Sequence, residues 1–158
     1  MQQTIFVVDG SSTIRTLYKA VLEGVGYRVK VHQTAESCLK AMGFDTPDLI
    51  LMGAELPDSD CVAFAGKIKA RPEFLLVPII VISSIRSMEL KRSCFQAGVT
   101  DFILKNCTQH FLVERVDSVL QRKQTLAFNQ HLSGQNFSVL IAEDSVALLA
   151  LYGQMFQQ

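Results

Sequence analysis

The residues able to do chemistry sit just beyond short apolar runs. Asp9 and Gly10 follow TIFVV at 4–8; Gly53, Glu55, Asp58 and Asp60 follow the run Leu49 to Met52; Ser83 follows PIIVI at 78–82; and Lys105 follows Asp101 to Leu104. Carboxylates, a hydroxyl and an ammonium gathered at strand ends can bind charged or polar groups, and carboxylates can also serve as hard oxygen ligands or nucleophiles. The most informative stretch is DLILMGAELPDSDC, Asp48 to Cys61. Its four apolar residues have the length and flanks of a strand buried on both faces. Gly53 ends that strand, and the turn Asp58-Ser59-Asp60 suits a backbone leaving a sheet to begin a helix.

The elements that must position these groups can be read in order. After the first strand, Ser11 or Ser12 caps a helix carrying Ile14, Leu17, Tyr18, Val21 and Leu22 on one face, and Gly24 and Gly26 stop it. Residues 28 to 32 alternate apolar and polar, as at a sheet edge. Thr34 caps a second helix through Cys38, Leu39 and Met42, ended by Gly43 and the turn Asp45-Thr46-Pro47. A third helix is expected to start after Pro57, carry Val62, Phe64, Ala65 and Ile68, and stop near Pro72. The fourth strand is expected at 78–82, a fourth helix from about Ser87 to Gly98, and a fifth strand from Asp101 to Leu104. A last helix runs from Thr108 through Leu112, Val116, Val119 and Leu120, on past Lys123 toward Leu132, and ends at Ser133-Gly134. Five alternations of strand and helix predict an α/β fold: one doubly wound, five-stranded parallel sheet with right-handed crossovers and helices on both faces. In such a sheet the site lies at the carboxyl ends of the strands.

Taken together, the strand ending at Gly53, the Leu56-Pro57 turn, Ser83 and Lys105 resemble the receiver domains of response regulators, the CheY-like family, over residues 4 to about 122. The resemblance implies a flavodoxin-like sheet of order 2-1-3-4-5. In the family an aspartate followed by two residues and then Leu-Pro or Met-Pro accepts a phosphoryl group, and here that position is Gly53. The family draws cation ligands from an acidic pair after strand one, from the acceptor, and from a carbonyl two residues beyond it. By resemblance these are Asp9, Gly10, Gly53 and the carbonyl of Glu55, so two hard oxygen ligands are gone and no metal is expected. Ser83 matches the hydroxyl that binds the phosphoryl group, Lys105 the lysine that pairs with it, and Phe102 the aromatic that turns with the hydroxyl. Asn106 stands where a proline usually follows. With its partner missing, Lys105 is expected to pair with Asp9 or Glu55 across the pocket.

From Ser138 the pattern restarts. VLIAEDSVALLALYGQMF lies over IFVVDGSSTIRTLYKAVL at one constant offset, which sets Glu143 on Asp9, Asp144 on Gly10, Ser145 on Ser11 and Tyr152 on Tyr18. This resembles the first strand and helix of another receiver with its acidic pair intact. About 20 residues cannot build a sheet, so the sequence reads as a piece of a longer protein. The expected organisation is a pseudo-receiver at 1–122, a linker at 123–137 that extends the last helix, and the start of a second, truncated receiver at 138–158. Leu148, Leu149, Leu151, Tyr152, Met155 and Phe156 give that tail an apolar surface expected to pack on the first domain or on a second chain.

Composition narrows the classes. With 49% hydrophobic and 19% charged residues, 15 basic against 15 acidic, the chain suits a compact globule without the basic footprint of a nucleic-acid or anionic-membrane binder. No charged leader precedes the first apolar run and no run approaches a membrane span, so the chain is read as cytoplasmic. Cys38, Cys61, Cys94 and Cys107 lie far apart without a Cys-x-x-Cys pair, and His32, His110 and His131 are as scattered, which favours free thiols over a metal site.

The sequence thus points to a signalling module rather than an enzyme. It is a receiver unable to be phosphorylated in the usual way, without a cofactor, acting through protein contacts in a two-component protein with tandem receivers. The expected partners are the second receiver, an output domain outside this sequence, and a second copy through the last helix or the tail. The rival reading is a working phosphoacceptor switch that uses Glu55, Asp58 or Asp60. A third, a flavodoxin-like cofactor binder, lacks a phosphate-cradling loop, since only Gly10-Ser11-Ser12-Thr13 is available after the first strand.

Overall fold

The computed structural model describes residues 2 to 131. Five strands, β1 (Thr4–Val8), β2 (Arg28–His32), β3 (Leu49–Gly53), β6 (Ile79–Ser83) and β7 (Asp101–Leu104), form one parallel sheet in the order β2-β1-β3-β6-β7. This is the doubly wound order expected, with β2 at an edge. The helices are α1 (Ser12–Gly24), α2 (Ala35–Met42), α3 (Cys61–Lys69), α4 (Met88–Gln96) and α5 (Gln109–His131). None among the described residues is long and apolar enough to cross a membrane.

The central strands are buried at every residue, so each contributes apolar side chains to both faces of the sheet. Phe6, Val8, Ile50, Met52, Ile79 and Val81 share one core layer with Cys38 and Met42 of α2, Phe64 and Ile68 of α3, and Cys94 of α4. Ile5, Val7, Leu49, Leu51, Ile80 and Ile82 meet α1 and α5 through Tyr18, Leu22, Leu112, Val116 and Leu120. Polar ties also fix α5. Arg115 Nη2 lies 2.6 Å from Asp101, Lys123 Nζ donates to the Asp48 carbonyl at 3.1 Å, and the Tyr27 hydroxyl donates to Asp117.

Two local expectations change. The third helix does not follow Pro57 directly: β4 (Glu55–Leu56) and β5 (Ser59–Asp60) first make a small antiparallel hairpin about the Pro57-Asp58 turn, and α3 starts at Cys61. The turn is held from outside. Asp58 accepts from the backbone N–H of Ala35 at 2.8 Å and of Glu36 at 2.9 Å, so its carboxylate sits on the N-terminus of α2 beside the Thr34 cap. Those amide donors, Glu36 foremost, hold the Asp58 carboxyl below its ordinary pKa. The fourth strand is shifted by one residue to Ile79–Ser83; Pro78, which has no N–H to donate, supplies only its carbonyl, to Ile50 N at 2.9 Å. The cap of α1 is Ser11, one of the two serines the sequence left open.

Asp58→Ala is expected to cost about 1 kcal/mol, the ordinary value of a lost helix cap; urea unfolding measures it, with Thr34 left in place to hold the register of α2. A second expectation concerns acid. His32, at the end of β2, packs its ring against Phe6 at 4.8 Å and has a buried Nε2 with no partner among the described residues, and burial, followed by Lys30, lowers its pKa. The unfolded chain therefore takes up this proton first as pH falls. Stability from this site is complete above about pH 6.5 and declines below it. Unfolding curves at about pH 7.5 and about pH 5.5 should show the loss, and His32→Phe should make it smaller.

Candidate functional site

The carboxyl ends of β1, β3, β6 and β7 bring Asp9, Gly53, Ser83 and Lys105 to one edge of the sheet. Asp9 is the first residue past β1, and its N–H is held by the His32 carbonyl at 3.2 Å. Its carboxylate turns inward across the end of β3. A Cβ added to Gly53 would lie 2.6 Å from Asp9 Oδ2, 3.2 Å from Asp9 Cγ and 3.5 Å from the Glu55 carbonyl oxygen. The space beside Gly53 is thus filled by the carboxylate of Asp9.

Three donors fix this arrangement. Lys105 Nζ donates to Asp9 Oδ2 at 3.1 Å, and Ser11 N donates to Oδ1 at 2.8 Å. Arg15, one turn into α1, donates from one nitrogen to the carbonyls of Asp9 at 2.6 Å and Gly10 at 3.0 Å. The side chain of Asp9 is only 6% exposed, so its charge is withdrawn from water and balanced by Lys105, itself 28% exposed. Of the two partners the sequence left open for Lys105, the ion pair is with Asp9. Arg15 was not singled out by sequence reading; the available signal was a cation in the first helical turns after an acidic loop.

The remaining positions are equally definite. Pro57 closes over Gly10, where an added Cβ would lie 3.2 Å from Pro57 Cγ. Ser83 is buried, and its hydroxyl stays within its own loop, accepting from Ile85 N at 3.0 Å and placed 3.2 Å from Ile85 O. Phe102 is half-buried against the layer formed by α2, α3 and α4. Ala54, Glu55, Ser83, Ser84, Ile85 and Lys105 line a shallow concavity of about 170 Å³. Glu55 is exposed on this wall. Asp58 caps α2 and Asp60 accepts from Ala63 N at 2.8 Å as the cap of α3, so two of the three alternative carboxylates are engaged at helix N-termini. Among the described residues no group of three or more His, Cys, Asp or Glu could hold a metal ion. Glu143 and Asp144, and with them the expected second receiver and its tail, lie outside the described residues.

The family model of the response regulator receiver domain matches residues 5–117. The chain is 28% identical over 123 residues to the cyclic di-GMP phosphodiesterase response regulator RpfG of Xanthomonas campestris pv. campestris (strain 8004), covering 76% of this chain and 32% of that protein. It is 29% identical over 123 residues to the DNA-binding transcriptional regulator NtrC of Escherichia coli (strain K12), covering 76% of this chain and 26% of the regulator. It therefore spans about a third or less of these two relatives. A crystal structure of a CheY-like receiver domain protein from Methanospirillum hungatei JF-1 superposes with a TM-score of 0.73 at 25% identity, covering 79% of this chain and 98% of the other.

The close approach at Gly53 makes a coupled prediction. Gly53→Ala should destabilise by about 1–3 kcal/mol, the range for overpacking a filled site. In an Asp9→Ala background the same change should cost less, giving a coupling of about 0.5–3 kcal/mol in a double-mutant cycle by denaturant unfolding. Equal costs in both backgrounds would mean that the Asp9 carboxylate does not fill the space.

Proposed function

The chain belongs to the response regulator receiver domain family, and on that premise we propose that it is a receiver unable to take a phosphoryl group at the usual strand end, working instead as an interaction and regulatory module of a two-component protein. The observation that carries this reading is the Asp9 carboxylate lying against Gly53 and paired with Lys105 at 3.1 Å. Receiver chemistry wants that acid free for a cation, a second carboxylate at position 53, and the lysine free for the phosphoryl oxygens. Here the acid and the base neutralise each other, and position 53 has no side chain. The donors do not fit the magnesium ion of the family: one carboxylate already bound by an ammonium, with glycines at 10 and 53, falls short of the hard oxygen set such an ion requires. No step of the proposed function passes through a metal.

In this proposal the domain at 1–122 is joined by 123–137 to a second receiver beginning near 138, whose Glu143-Asp144 pair supplies the acidity missing at Gly10. The partners are that receiver, an output domain and a second copy meeting through the last helix or the tail. Relatives such as RpfG and NtrC are much longer than this chain, in keeping with a receiver that serves another module. The balanced charge disfavours nucleic acid or an anionic membrane as the direct partner; the proposed module is cytoplasmic and has no catalytic turnover of its own.

A second reading keeps one specific support: Glu55 stands on the wall that Ser83 and Lys105 share. Its carboxylate would have to replace one projecting from position 53, and a displacement of about 1 Å can cost a hundredfold in rate. Incubation with acetyl phosphate and magnesium, followed by intact mass and peptide mapping, decides between the two. The expected result is no phosphoryl adduct in residues 1–122, and an adduct at position 53 in the G10D/G53D variant. An adduct on the native chain that disappears in E55Q would establish the rival.

A further inference from the structure

Two nucleophilic side chains have no part in the site just described. Cys61 and Cys94 are both 0% exposed, and their sulfurs lie 3.5 Å apart. Cys61 is the first residue of α3, its N–H held by the Ala54 carbonyl at 3.0 Å, so it closes the loop that leaves Gly53. Cys94 lies in α4, and its carbonyl accepts from Ala97 and Val99 where the chain turns from α4 toward β7. The two belong to the same apolar layer. A disulfide requires a sulfur separation of about 2.0 Å, so the two sulfurs must close by about 1.5 Å.

We propose that Cys61 and Cys94 form a redox-modification site, which hydrogen peroxide closes into a disulfide that ties the loop after Gly53 to α4. This inference is independent of the phosphoryl reading, since neither cysteine touches Asp9, Gly53 or Lys105 chemistry. A small oxidant is required because both sulfurs are sealed: a peroxide is close to water in size, whereas a bulky disulfide reagent cannot reach them. Burial raises both thiols, Cys61 to about 12, so the reactive thiolate is scarce and the bond forms slowly.

The chemistry balances within the pair. One thiol loses its proton, and the sulfur attacks a peroxide oxygen; the O–O bond breaks, leaving a sulfenic acid, and the departing hydroxide takes that proton and leaves as water. The second sulfur then attacks the sulfenic sulfur; its S–O bond breaks, the second thiol proton joins the departing hydroxide, and a second water leaves. Two thiols have lost two protons and two electrons, and the peroxide has been reduced to two waters. The new bond spans 33 positions of sequence and removes the freedom of α4 to shift against α3. The outer side of α4 carries exposed Met88 and Phe95, so the bond steadies the surface that this helix presents.

The test uses the whole 158-residue chain, exposed to hydrogen peroxide without denaturant and then blocked with a thiol alkylator. The expected result is an intact mass lower by two hydrogens before alkylation, a non-reducing digest of the alkylated chain in which the Cys61 and Cys94 peptides are joined, a higher thermal midpoint, and reversal of all three by a thiol reductant. C94S and, independently, C61S should abolish the joined peptide, while C107S should leave it. The proposal is overturned if peroxide only adds oxygen atoms while Cys61 and Cys94 remain alkylatable after unfolding, or if Cys61 joins any partner other than Cys94 of the same chain.

Discussion

One buried ion pair governs the working edge of this sheet. Asp9 leaves β1 with its carboxylate directed across the end of β3, and that direction is open only because residue 53 has no side chain. A carboxylate so enclosed needs a partner, and Lys105 arrives from the end of β7 to provide it at 3.1 Å. Ser11 and Arg15 complete the arrangement by binding the second carboxylate oxygen and the backbone carbonyls of the turn. The glycine, the acid and the base therefore form one unit. Enlarging residue 53 displaces the acid, and removing the base strands it.

The same logic extends outward from the site. The loop after Gly53 is ordered by helix N-termini that need acceptors: Asp60 serves α3 and Asp58 serves α2. Carboxylates that look like a reserve of acidity in the sequence are thereby committed to structure, and the hairpin between them sets where α3 begins. On the opposite face, Arg115 with Asp101 and Lys123 with Asp48 hold α5 along the sheet, so the helix that carries the chain onward is bound by ion pairs as well as by Leu112, Val116 and Leu120. Cys61 and Cys94 meet where the loop and α4 come together, and so lie between the strand-end site and the surface of α4.

The strands and helices were legible because each signal was local. Continuous apolar runs marked β1, β3 and β6, helical spacing marked Tyr18 and Leu22 of α1 and Leu112 and Val116 of α5, which are buried, though Leu17 on the expected face is exposed, and Thr34 announced the cap of α2. One expectation failed for a local reason, Pro78 having no N–H to open the fourth strand; the other failed through contacts with a distant segment. The start of α3 moved because Glu55 and Leu56 pair with Asp60 and Ser59, and because the turn between them is held by α2 amides about twenty positions earlier in the chain.

Sequence alone determined that this is a parallel α/β sheet with an acid after its first strand, a glycine at the end of its third and a lysine after its fifth, because apolar period and turn chemistry are written in neighbouring residues. Tertiary structure alone decided that Asp9 rather than Glu55 takes the lysine, that the acid fills the space beside Gly53, that Arg15 binds the same turn, and that Cys61 faces Cys94. The physical reason is that such choices depend on the space and partners left when separate strand ends converge. No pattern of adjacent residues encodes those distances.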